Sequence, residues 1–137
     1  MTTTIGCLCG AVKLELSGAA MAHLYCHCDD CQRVHGAAYL PAVMYRASQV
    51  RLVAGEPVLW KLKTTARATC RECGTRLYAE PPGLGVRSVT ATLLPEGMFQ
   101  PTFHMQCQHA LLPVRDGLPH YKGYPKMFGG SDDVMPW

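Results

Sequence analysis

Much that would steer a reading is missing from this chain. No stretch approaches the roughly 20 apolar residues that a membrane span needs, so no embedded segment is predicted. Residues 1–5 have neither the basic segment nor the apolar run of a secretory leader. The expected compartment is therefore the cytosol, where thiols stay reduced. Charge of one sign is scarce. The formal net charge is +3, Lys and Arg are scattered, and aromatics make up only 8% of the residues. That combination argues against nucleic acid as a partner. Helix signals are few, and no Pro- or Ser-rich linker divides the 137 residues, which predicts one domain over 1–137. A chain of this length buries a modest core, which a structural metal would support.

Cysteine is abundant. Seven of the eight fall into three short clusters: Cys7-Leu8-Cys9, Cys26-His27-Cys28-Asp29-Asp30-Cys31 and Cys70-Arg71-Glu72-Cys73. Without a secretory signal, such spacings read as metal binding rather than disulfides. Thiolates one or two residues apart can converge on one ion, and a structural zinc takes four ligands. Cys7, Cys9, Cys70 and Cys73 make a closed set; on an extended strand Cys7 and Cys9 would share a face. The competing reading uses the two pairs separately. Cys26, Cys28 and Cys31 supply three ligands and leave a position open, as a catalytic zinc requires. The competing reading there is a second structural site, completed by Cys107, His27, His104 or His109. Two zincs per chain are expected.

The patterning is mainly β. Residues 11–16 alternate apolar and charged side chains with period two. Further strands are expected at 22–25, 37–45, 50–53, 58–62, 66–69, 76–80, 88–93 and 103–107. Pro41 points to an edge or a bulge, and residues 50–62 suggest a hairpin across Gly55. A short helix is expected after Asp29, stopped by Gly36. Residues 118–137 form a Gly/Pro-rich tail, read as loop that packs or frays. Cys107 reads as a buried small apolar residue. His35 and His120 read as surface residues, Trp60 as core, and His27 as pointing away from any metal held by its neighbours.

These residues resemble the glutathione-dependent formaldehyde-activating enzyme family, also called the centromere-protein-V domain. The matching strings are Gly6-Cys7-Leu8-Cys9-Gly10-Ala11-Val12, Cys26-His27-Cys28-Asp29-Asp30-Cys31-Gln32 and Cys70-Arg71-Glu72-Cys73-Gly74-Thr75. Pro101-Thr102-Phe103-His104 and Asp116-Gly117-Leu118-Pro119-His120-Tyr121 add to them. The stretch after His104 departs from the family: Met105 stands where an aromatic is usual, and no tryptophan follows nearby. The resemblance implies a β-tent of antiparallel sheets around zinc. It implies a structural zinc on Cys7, Cys9, Cys70 and Cys73, and a catalytic zinc on Cys26, Cys28 and Cys31. It implies a carbon–sulfur lyase that joins glutathione to formaldehyde as S-hydroxymethylglutathione. Arg33, Arg71 and Arg76 are candidates for the carboxylates of such a thiol. The alternative is a non-catalytic zinc module that binds a protein or nucleic acid.

Overall fold

The computed structural model describes all 137 residues and is mainly β, with ten strands and one short α-helix. Its residues group into two units, 1–22 with 43–99, and 23–42 with 100–137.

In the first unit, β1 (Thr2–Gly6) pairs antiparallel with β2 (Lys13–Ser17), and β2 with β5 (Val50–Ala54). β1 was not expected from the sequence, although its β-branched Thr2, Thr3, Thr4 and Ile5 suit a pleated strand. Along β2 the predicted alternation holds: Leu14 and Leu16 are buried while Lys13 is exposed. The second sheet of this unit runs in the order β4-β9-β8-β7-β6. It comprises the end of β4 (Leu40–Arg46) with β9 (Val86–Thr90), β8 (Arg76–Glu80), β7 (Thr65–Thr69) and β6 (Val58–Leu62). Ile5, Leu14, Leu16, Val43, Tyr45, Val50, Leu77 and Val89 form the core, which also takes in Cys7 and Cys70.

Two local features differ from the pattern of the sequence. Residues 50–62 are not a hairpin, because β5 pairs with β2 and β6 with β7. The turn between them is held by a close approach: a Cβ on Gly55 (φ 81°) would lie 2.3 Å from the Ala11 carbonyl oxygen. That contact directs the chain from one sheet into the other, which local patterning does not reveal. Trp60 is half-buried rather than core, and its indole N–H donates to Thr69 Oγ1 at 3.0 Å.

In the second unit, β10 (Phe103–Met105) lies parallel to β3 (Ala22–Cys26), pairing Phe103 with Leu24, His104 with Tyr25 and Met105 with Cys26. The sheet that holds this pair is therefore mixed, while β1, β2 and β5 are antiparallel throughout. A strand that returns after a long connection need not run antiparallel as a hairpin partner must. β4 starts in this unit, beside β3. Pro41, its second residue, does not mark an edge, because the missing N–H falls where the strand begins.

The helix forms where the sequence places it. α1 (Asp29–His35) has two acids in its first turn, and Gly36 at φ 59° ends it. Its N-cap is Cys28, whose sulfur accepts the Cys31 N–H at 3.2 Å. The tail packs through backbone bonds rather than fraying: Lys122 N–H donates to Asp133 O at 2.7 Å, and Met135 N–H to His120 O at 2.8 Å. No helix is long and apolar enough to cross a membrane.

Candidate functional site

The first cysteine group collects in the first unit. Cys7-Leu8-Cys9-Gly10 is a turn rather than an extended strand, closed by Gly10 N–H to Cys7 O at 3.0 Å with Gly10 at φ 81°. The turn brings the sulfurs together by folding the backbone, not by the strand alternation the spacing suggested. The Cys70 pair sits on a matching turn, with Gly74 N–H to Cys70 O at 3.0 Å and Gly74 at φ 75°. Cys7 Sγ lies 3.6 Å from Cys9 Sγ, and Cys9 Sγ 3.7 Å from Cys70 Sγ. Zinc–sulfur bonds of about 2.3 Å in a tetrahedron place sulfurs about 3.8 Å apart, whereas a disulfide needs about 2.05 Å. The four-sulfur set fits a zinc ion on its own dimensions. Without a cation the thiols compete. The Ala11 N–H favours the Cys9 thiolate, but the Cys7, Cys73 and Cys70 sulfurs outweigh it and push Cys9 up to about 12. The Thr75 hydroxyl and N–H bring Cys73 down to about 5.

The middle cluster gathers in the second unit. Cys26 is the last residue of β3, Cys28 the cap of α1, and Cys31 lies in the first turn of α1. Cys31 Sγ and Cys26 Sγ are 3.8 Å apart, again a tetrahedral zinc edge, and all three sulfurs lie within 4.8 Å of one another. The Cys28 and Cys31 thiols, together with burial, hold the Cys26 thiol well above its ordinary range. Three sulfurs packed this closely could hold one metal ion. Neither His104 nor His109, His27 or Cys107 joins this group, so it stays at three donors. Cys107 is buried as a small apolar residue, with its thiol pushed up to about 12 by burial and the Asp116 charge.

Around the three sulfurs, Gln32 fixes the local backbone. Its amide donates to His27 O at 2.7 Å and to His109 O at 2.8 Å. Arg33 is exposed on the same helix. Arg71 and Arg76 are exposed in the first unit, beside the other cysteine group, and Arg76 is engaged with Gly74 O at 2.6 Å. Tyr124, which the sequence reading passed over, lies within electrostatic reach of all three sulfurs. Burial raises its phenol above its ordinary range, the Gln106 hydrogen bond lowers it, and Cys26, Cys28 and Cys31 raise it further. No cysteine spacing could have shown this, because the tail brings Tyr124 there.

A second constellation surrounds His27. As expected, His27 is not grouped with the sulfurs, but it is fully buried. Its Nε2 lies 2.9 Å from His104 Nδ1, and His104 Nε2 lies 2.6 Å from Asp116 Oδ2. His120 is buried rather than a surface residue, because β10 and the tail enclose it. Burial would raise Asp116, but His104 and the Leu118 N–H outweigh it and hold the carboxyl below its usual value. An ionised Asp116 makes His104 Nε2–H the donor; His104 Nδ1 then accepts from His27 Nε2–H. His27 Nδ1 is left buried without a partner. Burial, reinforced by the neighbouring His104 and His120, lowers His27 to about 4. Tyr25 stacks on His104 with centroids 4.8 Å apart, and Trp137 packs at 5.7 Å from His27 and 5.1 Å from His120.

Comparison with known proteins agrees with the cysteine pattern. The family model described as glutathione-dependent formaldehyde-activating enzyme matches residues 2–109, which include all eight cysteines. Among solved structures, the chain is similar to the crystal structure of a Rhodobacter sphaeroides protein. The identity is 25%, covering 69% of this chain and 89% of the other, with a TM-score of 0.58. No curated protein matches the chain.

Proposed function

Because the chain belongs to the glutathione-dependent formaldehyde-activating enzyme family, we propose that it makes or breaks the carbon–sulfur bond between a small thiol, glutathione in the first instance, and an aldehyde such as formaldehyde. The observation that carries this reading is the three-sulfur group of Cys26, Cys28 and Cys31, close enough for one zinc and short of the four donors of a closed structural site. Cys7, Cys9, Cys70 and Cys73 would hold the structural zinc, within the β-tent arrangement the family resemblance implies.

When bound at the three-sulfur group, zinc would lower the pKa of a substrate thiol and polarise an aldehyde oxygen. The chain's own part is positioning. Cys26 at a strand end, Cys28 at the cap of α1 and Cys31 in its first turn hold the donors on two elements joined by two residues. Gln32 keeps that junction in place through its two carbonyl contacts. Tyr124, held protonated, can donate a hydrogen bond to oxygen developing charge beside the sulfurs. Exposed Arg33 is suited to a carboxylate of an acidic thiol. Eight free thiols fit a reducing, cytosolic setting.

The test is exchange spectroscopy on glutathione and formaldehyde at equilibrium with their adduct. Zinc-loaded protein should speed the exchange above the spontaneous rate, and chelator-treated protein should not. An exchange rate independent of the protein would remove the enzymatic reading and favour the non-catalytic zinc module.

A further inference from the structure

The His104, Asp116 and His120 group is not absorbed by the proposed reaction, and it has the composition of a metal site. Two imidazoles and one carboxylate lie with their ligand atoms within 4.8 Å of one another. His104 is fixed by β10. His120 lies beside it through the bridge between the two residues, with ring centroids 4.6 Å apart. Asp116 is set by the turn that leads into His120, its Oδ1 accepting the Leu118 N–H at 3.1 Å. Backbone pairing and a local turn therefore bring all three side chains together.

A second observation points to a ligand. His120 is 3% exposed, yet its Nε2 has no hydrogen-bond partner; it lies 3.1 Å from Asp116 Oδ1 without hydrogen-bond geometry. Buried polar atoms are rarely left so. A buried imidazole nitrogen left unbonded close to a carboxylate oxygen is what a cation between them would satisfy. Binding would displace the Nε2 proton that His104 shares with Asp116 Oδ2 at 2.6 Å; His104 then keeps its proton on Nδ1 and donates it to His27 Nε2 at 2.9 Å, the partner that metal-bound imidazoles usually hold on their second nitrogen.

We propose that His104 Nε2, Asp116 and His120 Nε2 bind a divalent first-row transition cation, at a site separate from both cysteine groups. The donor set of two imidazoles and a carboxylate suits zinc, cobalt(II) or iron(II) rather than copper(I), which takes soft sulfur donors. Access is from the Asp116 side, the one exposed member. The cysteine groups, with anionic sulfur donors, fill first, and this site takes the next equivalent.

The test is a titration of the full-length chain, its cysteine groups loaded with zinc, with cobalt(II) alone. One further equivalent is expected to bind with visible ligand-field absorption, no sulfur-to-cobalt charge transfer and no zinc release. Asp116→Asn should weaken that equivalent by at least about 100-fold while two zincs stay bound. The Asn side chain can still accept the Leu118 N–H, so the turn survives; His120→Gln should behave the same way. Saturation without a further equivalent would overturn the proposal. So would cobalt that enters only by displacing zinc with charge-transfer absorption, or a further equivalent unchanged in Asp116→Asn. The absence of sulfur bands identifies this site whether or not the proposed reaction holds.

Discussion

Cys28 has two tasks that one pair of substitutions can separate. Its sulfur caps α1 through the Cys31 N–H at 3.2 Å, and it is one of the three donors in the middle cluster. Serine is among the best N-cap residues, and its hydroxyl oxygen accepts a shorter and stronger hydrogen bond than sulfur. Measured against the parent with the middle site stripped of zinc, Cys28→Ser should therefore leave stability within about 0.5 kcal/mol. Cys28→Ala removes the cap and should cost about 1 kcal/mol, or roughly 3 °C of melting temperature for a chain of this size. Both variants lose a soft donor from a site with only three. Each should lose the zinc of that site, and turnover of the thiol–aldehyde adduct should fall at least about 100-fold. Thermal melting, zinc content and exchange spectroscopy read the three quantities on the same samples. A Cys28→Ser protein that folds, keeps its full zinc content and turns over at the parental rate would refute the donor role. Equal destabilisation by serine and alanine would refute the capping role.

Three further outcomes follow from the geometry. Leu77 is fully buried in the core cluster, so Leu77→Ala should cost about 2–5 kcal/mol in denaturant unfolding of the zinc-loaded chain; a cost under 1 kcal/mol would mean that the core is not packed as described. Gly55→Ala puts a Cβ into the Ala11 carbonyl at a positive φ, and should destabilise by more than the roughly 1–2 kcal/mol of left-handed strain alone; a neutral result would contradict the close approach that sends the chain between sheets. Burial lowers the pKa of His23, whose Nδ1 accepts the Gln100 N–H at 3.1 Å. The unfolded chain then binds the extra proton more readily, so this contribution is present above about pH 6.5 and is lost as pH falls through the folded value. Titration of the His23 ring by NMR should give a midpoint below 6.5, and a midpoint above it would reverse the sign.

The parts of the fold that were legible are those set by local chemistry. Period two placed β2. An acidic start and a glycine stop placed α1. The spacing of seven cysteines named the two groups that the structure brings together. What was not legible depends on distant contacts. The Gly55 approach to Ala11 splits an apparent hairpin between two sheets, and nothing within residues 50–62 encodes it. The parallel pairing of β10 with β3 joins residues nearly 80 positions apart. His120 looked like a surface residue because its neighbours are turn formers, yet pairing with His104 and cover from Trp137 bury it. Tyr124 comes within electrostatic range of the middle cluster through the Gly/Pro-rich tail, which is pinned by its own backbone bonds. The charge and composition of that tail gave no sign of this.

The proposed function stands on an open zinc at Cys26, Cys28 and Cys31 and a closed one at Cys7, Cys9, Cys70 and Cys73. Native mass spectrometry of the protein as purified, before and after addition of glutathione, tests it most directly. Two zincs per chain are expected, one unaffected by the thiol and one that gains a glutathione adduct or is displaced. A single tight zinc, indifferent to glutathione, would contradict it.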